Sequence, residues 1–389
     1  MKKVLFINSR APFPVYDGAT ISTHQYLILF HELGFEVDLY YISETEDEKV
    51  VREGVGHLCR NIYHHQVTKR QAYRKVLIGM LTNLLPFQVN YYYARTVKKW
   101  VDTHYQEYDM IYCHTLRTAE YVIGLPKYKI INMVDSFAMN YEKARHLRKG
   151  IWHWIYTIDA ARCAKYEKKL LDEFDKKLII SEVDREYIMG LSPKASEISV
   201  IENYTEVQDD KLVDNNPNVH NLVFVGAMNY EPNVTAVIHF CNYVLPKVIE
   251  RIPDVKFYIV GKTPTEEVLA LASEHVVVTG FVDDVWDYQK IASVIVAPMK
   301  SGAGMQNKIV QAMAVGACVM TTPDGFGGLV NGEGQPIVVE TDAEMVNQLV
   351  HLLNHPEERK KIGELSKAYI KRNYSKEVIT RKFKAFLDA

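Results

Sequence analysis

The feature that most constrains this chain is a repeated alternation: short apolar runs, each followed by a longer stretch with helical spacing. Residues 3–8 (KVLFIN) form such a run. A loop with Pro12, Pro14 and Gly18 follows, then apolar residues at helical spacing from about Thr20 to Leu33, then Gly34 and a second run at 36–42 (EVDLYYI). Parallel strands need a crossover between them, and a helix is the usual one, so this opening predicts a βαβ unit of a parallel sheet. Further runs at 110–113, 130–133, 178–181 and 198–201 continue one α/β domain to about residue 205.

The segment 207–221 (VQDDKLVDNNPNVHN) is polar and carries Pro217, as an interdomain linker does. The alternation then restarts at 222–226 (LVFVG), 255–261, 276–281, 293–298 and 317–322. Val234, Val237, Ile238, Cys241, Val244, Leu245, Val248 and Ile249 recur at spacings of three and four, predicting an amphipathic helix interrupted or restarted at Pro246. A chain of 389 residues exceeds the size at which one core usually keeps growing. The expected organisation is therefore an α/β protein with two Rossmann-like domains, 1–206 and 207–372. The final segment 373–389 is expected to be helical and to pack back toward the first domain.

Composition excludes several classes. Hydrophobic residues at 48% and charged residues at 24% give an ordinary globular balance, and a net charge of −2 offers no global basic field for nucleic acid. Cys59, Cys113, Cys163, Cys241 and Cys318 are scattered and odd in number, with no CxxC pair, which signals neither a disulfide framework nor a zinc site. The start MKKVLFINSR leads directly into a strand-like run, so a cytoplasmic location is expected.

The chemistry-bearing stretch is 297–322, APMKSGAGMQNKIVQAMAVGACVMTT. It predicts a strand end at Pro298, a loop with Gly302 and Gly304, and a helix from about Gln306. Unpaired amides and the positive dipole end at such a helix start suit a diphosphate. Lys300 and Lys308 flank the seat, and Gln311 lies about one turn beyond Lys308 on the same face, placed to bond a ribose hydroxyl. The spacing by itself fits equally a strand, loop and helix with solvated lysines.

This strand, glycine loop, QNK and AMA-containing helix resemble the donor-site signature of retaining glycosyltransferase family 4 (glycosyl transferases group 1), in the subgroup with a GxQNKxxEAMA pattern. Matching pieces are spread over nearly the whole chain: DGATIST at 17–23, VDS at 134–136, SEVDRE at 181–186, IENY at 201–204, FVGAMNYEPNV at 224–234 and TGFVDDV at 279–285. The resemblance implies a GT-B fold with both sheets facing a central cleft, the second domain holding a nucleotide diphosphate sugar and the first holding the acceptor. It implies donor-site roles for Gly226, Asn229, Gly302, Gly304, Gln306, Asn307 and Gln311, and catalytic roles for Lys300, Lys308 and His114. Two departures stand out: Ala303 and Gln311 occupy the places of the family's Glu-x7-Glu pair, and no Arg or Lys follows the first strand of the donor domain. No cofactor beyond the donor is implied, and no metal is expected, since Asp283, Asp284 and Asp287 read as loop and capping residues.

His114 closes a strand-like run, where ligands of open sheets bind, although a lone histidine there also serves as a structural hydrogen-bonder. Asp17 and Gly18 sit in a loop that either faces the expected cleft or is a plain βα turn. Residues 69–99 combine seven basic residues with Leu77, Ile78, Met80, Leu81, Leu84, Leu85 and Phe87 and no acid. That pattern fits an edge facing an anionic membrane, as a peripheral protein of the inner face would need, and equally a core-facing helix. Trp152 and Trp154 belong to the same surface or to helical packing. The activity implied is glycosyl transfer to a glycan, lipid-linked or other acceptor in surface polysaccharide synthesis. A catalytically silent subunit of the same fold, suggested by Ala303 and Gln311, is the alternative, with a sugar-nucleotide 2-epimerase behind it. A dinucleotide-dependent dehydrogenase fits poorly, because no G-x-G-x-x-G follows either opening strand.

Overall fold

The alternation folds into two all-parallel sheets. In the computed structural model, which describes residues 1–389 apart from 16–17, 46–47, 147–148, 211–212, 215 and 302–304, the chain divides into two compact units. Unit 1 comprises Met1–Asn203 and Ile379–Ala389, and unit 2 comprises Tyr204–Val378.

Unit 1 contains β1 (Lys3–Asn8), β2 (Glu36–Ser43), β3 (Asn61–Gln66), β4 (Met110–His114), β5 (Lys129–Asn132), β6 (Lys176–Ile179) and β7 (Ser199–Val200), in the order β3-β2-β1-β4-β5-β6-β7. Unit 2 contains β8 (Asn221–Val225), β9 (Lys256–Val260), β10 (Val276–Gly280), β11 (Val294–Ala297), β12 (Val319–Thr321) and β13 (Ile337–Val338), in the order β10-β9-β8-β11-β12-β13. In each sheet the chain first winds outward from a central strand, then returns and winds the other way. The reversal falls between β1 and β4 in one sheet and between β8 and β11 in the other, and the crevice at the carboxyl ends of such a pair is where open sheets bind ligands.

Central strands are apolar on both faces, as helices on both sides require. Val4, Leu5, Phe6 and Ile7 are fully buried, as are Leu222, Val223 and Phe224. Two strands escape the sequence pattern. β3 (NIYHHQ) is an edge strand, half-exposed and polar, anchored beside Arg60, whose guanidinium grips Asp38 of β2 at 2.9 and 2.7 Å. β13 has only two residues.

Local signals set the helix ends. Gly34, at φ 79°, closes the helix Gly18–Glu32 with its amide on His31 O (3.0 Å) and that of Phe35 on Phe30 O (3.0 Å). A residue with a side chain would resist that left-handed turn. The expected interruption at Pro246 takes a specific form. Helix Glu231–His239 runs into a π turn over Phe240–Val244 before helix Leu245–Ile249, so the chain absorbs one extra residue ahead of the proline. The last helix, Lys376–Asp388, brings Phe383 edge-on to Tyr26 (5.2 Å) and Phe30 (5.1 Å) within unit 1.

Candidate active site

In unit 2 the carboxyl ends of β8 and β11 place most of the sequence-predicted donor residues. Gly226 follows β8, and its amide donates to Val260 O (2.9 Å) while that of Met228 donates to Lys262 O (2.9 Å), tying this loop to the one after β9. Glycine is required twice at this seam: a Cβ on Gly226 would lie 2.6 Å from Asn233 Nδ2, and one on Gly261 would lie 1.7 Å from Gly226 O. Asn229, at the loop tip, is exposed.

After β11 the chain reaches Met299 and Lys300. Gly302, Ala303 and Gly304 lie outside the described residues, and the helix Asn307–Ala314 then begins with Gln306 as its cap residue. Gln306 is buried, and its carbonyl accepts from Ile309 N (2.9 Å). Ile309, Val310, Ala312 and Met313 face the core, leaving Gln311 exposed. Lys308 turns inward. Its ammonium donates to Asn233 Oδ1 and to Met299 Sδ (3.5 Å) and lies 4.8 Å from the Phe224 ring centroid. Burial pushes its pKa down to about 7, so it holds its proton loosely until an anion arrives. Asn233 is itself fixed by donating to Ala227 O (2.9 Å).

Lys300 has a different setting. Its ammonium lies 3.1 Å from Asp342 Oδ1, and His239 Nε2 sits 2.8 Å from the other oxygen of the same carboxylate. Sequence reasoning missed Asn233 and Asp342. Asn233 lies inside a quoted motif, but its partner is 75 residues away. Asp342 follows the cap residue Thr341 and reads as an ordinary first-turn acid.

In unit 1 the carboxyl ends of β4 and β5 are strained. Thr115 and Val134, both β-branched, have φ of 68° and 66°, a region such residues rarely enter. Asn132 holds both turns, accepting from Thr115 N (2.7 Å) with its carbonyl and from Val134 N (2.8 Å) with Oδ1, while Nδ2 donates to the Tyr112 hydroxyl (2.9 Å). His114 closes β4 at 1% exposure, 5.8 Å from the Phe6 ring and packed against Tyr26 and Tyr112. Burial lowers its pKa to about 3, so it is a neutral imidazole at working pH. Several buried polar atoms here have no hydrogen-bond partner among the described residues: Ser22 Oγ of DGATIST, both ring nitrogens of His114, and both amide atoms of Asn203 of IENY. Gly18 is the exposed first residue of its helix, and Asp17 lies outside the described residues.

The VDS and SEVDRE pieces meet. Ser136 N donates to Asp184 Oδ1 (2.8 Å), and Ser136 Oγ and Ala138 N donate to Glu167 (2.9 and 3.1 Å). Burial pushes Glu167 up to about 8 and Asp135 up to about 6, the latter helped by Asp184.

The apolar residues of 69–99 divide: Val89 and Val97 belong to the core and Leu85 packs against it, whereas Leu77, Ile78, Met80, Leu81 and Leu84 are exposed. In the helix Lys69–Thr82 only Ala72 and Gly79 are buried, whereas Leu81 is 90% exposed and Leu77 64%. Arg162 donates to Met80 O (3.1 Å) and Leu85 O (3.2 Å), placing this region beside the helix Ile151–Glu173, whose Ile151, Trp152 and Trp154 are also exposed. Among the described residues no helix is long and apolar enough to cross a membrane, and no three His, Cys, Asp or Glu side chains are arranged to hold a metal ion.

The site of unit 2 coincides with a family match. Residues 219–355 match the family described as Glycosyl transferases group 1. That group 1 match spans β8 to β13 and contains Gly226, Asn233, Lys300, Lys308 and Asp342, and it supports a glycosyltransferase role. Over 99% of its length the chain is 26% identical to a Klebsiella pneumoniae protein described as an uncharacterized 44.6 kDa protein in cps region, covering all of it. The fold is GT-B, shared with solved structures at low identity. Anabaena Alr3699/HepE in complex with UDP-glucose superposes with TM-score 0.68 at 13% identity, and an S. aureus TarM mutant in complex with Fondaparinux, alpha-GlcNAc-glycerol and UDP with TM-score 0.71 at 10%; both cover 100% of each chain.

Proposed function

We propose that the protein is a retaining, metal-independent glycosyltransferase that moves a sugar from a nucleotide diphosphate sugar to an acceptor held by unit 1. The observation that carries this is the crevice between β8 and β11, where Lys308, half-buried and without a carboxylate partner among the described residues, stands at the first turn of the helix Asn307–Ala314. Helix amides and a desolvated ammonium together suit the diphosphate that leaves. The anomeric carbon's bond to the phosphate oxygen breaks, the acceptor oxygen bonds to that carbon on the same face, and the departing phosphate takes the acceptor proton. His114, neutral and buried, serves as a hydrogen-bonder in this scheme, and Gln311 and Asn307 face the nucleotide. Neighbours crystallised with UDP and UDP-glucose make uridine diphosphate sugars the first donors to try.

The test is calorimetric titration with UDP and UDP-glucose across pH. Lys308 is charged below about pH 7, so affinity should be highest there and fall by up to ~10-fold per pH unit above it. Lys308→Met, whose chain fits against Phe224 and Met299, should bind more weakly at acid pH and show a flat profile. A pH-independent wild-type affinity, or an unaffected variant, would sink the placement. Failure to bind any uridine, guanosine or cytidine diphosphate sugar would favour the silent subunit.

We further propose that the exposed apolar face of the helices Lys69–Thr82 and Ile151–Glu173 docks on an anionic membrane. The cations Arg70 and Arg74 are exposed beside that face, and no acid lies between Lys69 and Lys99. The acceptor would then be met at the lipid surface, within surface polysaccharide synthesis.

A further inference from the structure

Arg117 is a buried arginine of unit 1 whose setting the donor chemistry leaves unexplained. It lies in the turn Leu116–Tyr121, just past the strained Thr115, and is only 9% exposed. Its guanidinium carbon is 5.2 Å from the Tyr92 ring centroid and 5.0 Å from that of Phe137, so two aromatic faces hold it from different helices. Among the described residues it makes no hydrogen bond and no ion pair, and its Nε is buried without a partner. Asp135 is a nearby carboxyl, yet it accepts from Asn140 Nδ2 (2.8 Å) and forms no ion pair with the guanidinium. Arg10 adds a second positive charge to the neighbourhood.

Arginine keeps its charge in any protein environment, and a buried charge without a counter-ion is costly. Aromatic faces soften that cost but leave the N–H fork unused. A fork held in place at the carboxyl edge of the sheet is matched by a planar or tetrahedral oxyanion. We propose that Arg117 is the centre of an anion subsite that receives a phosphate or carboxylate carried by the acceptor. This rests on the reading that unit 1 takes the acceptor, and it makes that acceptor an acidic or phosphorylated glycan.

Full-length protein titrated with methyl phosphate, methyl glucuronide and neutral methyl glucoside, followed by calorimetry, tests this and separates the two sources of charge. At least one anion should bind at least ~10-fold more tightly than the neutral sugar, and Arg117→Lys, which keeps the charge but loses the fork, should weaken it about 10- to 100-fold. Arg117→Gln should abolish it, with thermal melting used to confirm folding; should that variant fail to fold, the lysine variant decides. UDP affinity should stay unchanged in the lysine variant. Equal binding of all three probes, or a lysine variant that binds like wild type, overturns the subsite. A protein that binds UDP but neither anion sinks the subsite alone. One that binds an anion but no nucleotide sinks the donor assignment and leaves an anion site standing.

Discussion

Three carboxyls around the start of the helix Phe137–Arg145, Glu167 and Asp184 buried and Asp135 half-buried, give unit 1 a residue-level pH dependence. Glu167 is the strongest case: it is fully buried, and burial pushes its pKa up to about 8 from an ordinary 4.5. The folded state therefore holds a proton that the unfolded chain releases, so the stabilisation is fully present below about pH 4.5 and is lost as pH rises through about 8. Glu167→Gln copies the protonated form. Its stability in urea melts should fall less between acid and alkaline pH than that of the wild type, and equal slopes would count against a protonated Glu167. Such residue-level detail was only partly legible in the sequence. Gly226 and Lys308 were singled out through the family resemblance, because spacing alone fitted a plain loop with solvated lysines equally well. Asn233, Asp342, Arg117 and Glu167 acquire their meaning from partners distant in the chain, and spacing carries no trace of that.

At the level of elements, the helix Lys69–Thr82 carries the clearest surface consequence. Gly79 packs so closely on Asn90 that a Cβ would sit 2.5 Å from its side chain, which seats one face of the helix and turns Leu77 and Leu81 outward. Burying each of two such leucines in an interface is worth about 1.5–3 kcal/mol, so Leu77→Asp with Leu81→Asp should abolish co-flotation with vesicles containing anionic lipid. Wild-type flotation that ignores lipid charge, or a variant that still floats, would refute the membrane face. The sequence left this helix ambiguous because an apolar stripe looks the same whether a core or a bilayer covers it; only the structure reveals that the core is elsewhere. Apolar central strands were readable for the opposite reason, since parallel strands buried on both faces leave an uninterrupted signature. β3 was not, because an edge strand with NIYHHQ alternates and hydrogen-bonds like a polar loop. The π turn at Phe240–Val244 was visible only as a disturbance near Pro246.

Across the whole molecule, both units repeat one winding scheme, and in each the proposed site residues lie where the winding reverses. That much followed from the order of apolar runs, because right-handed crossovers leave few ways to arrange them. The sequence also raised the expectation that the last helix packs back toward the first domain, but it did not show which residues hold it there. Phe383 is fully buried against Tyr26 and Phe30, and Lys382 pairs with Glu202 (2.7 Å), so unit 1 is completed by residues at the far end of the chain. Phe383→Ala should lower unfolding free energy by about 3–5 kcal/mol in urea melts, while leaving UDP affinity intact; a loss under 1 kcal/mol, roughly, would mean the aromatic contact is dispensable.

That closing helix also sets an order of events at the ribosome. β8 to β13 are made before Phe383, so the lobe translated first waits with its Tyr26–Phe30 surface bare while the second lobe is synthesised. A nascent chain stalled before residues 379–389 are made should then be a better chaperone client than one in which they are free to pack.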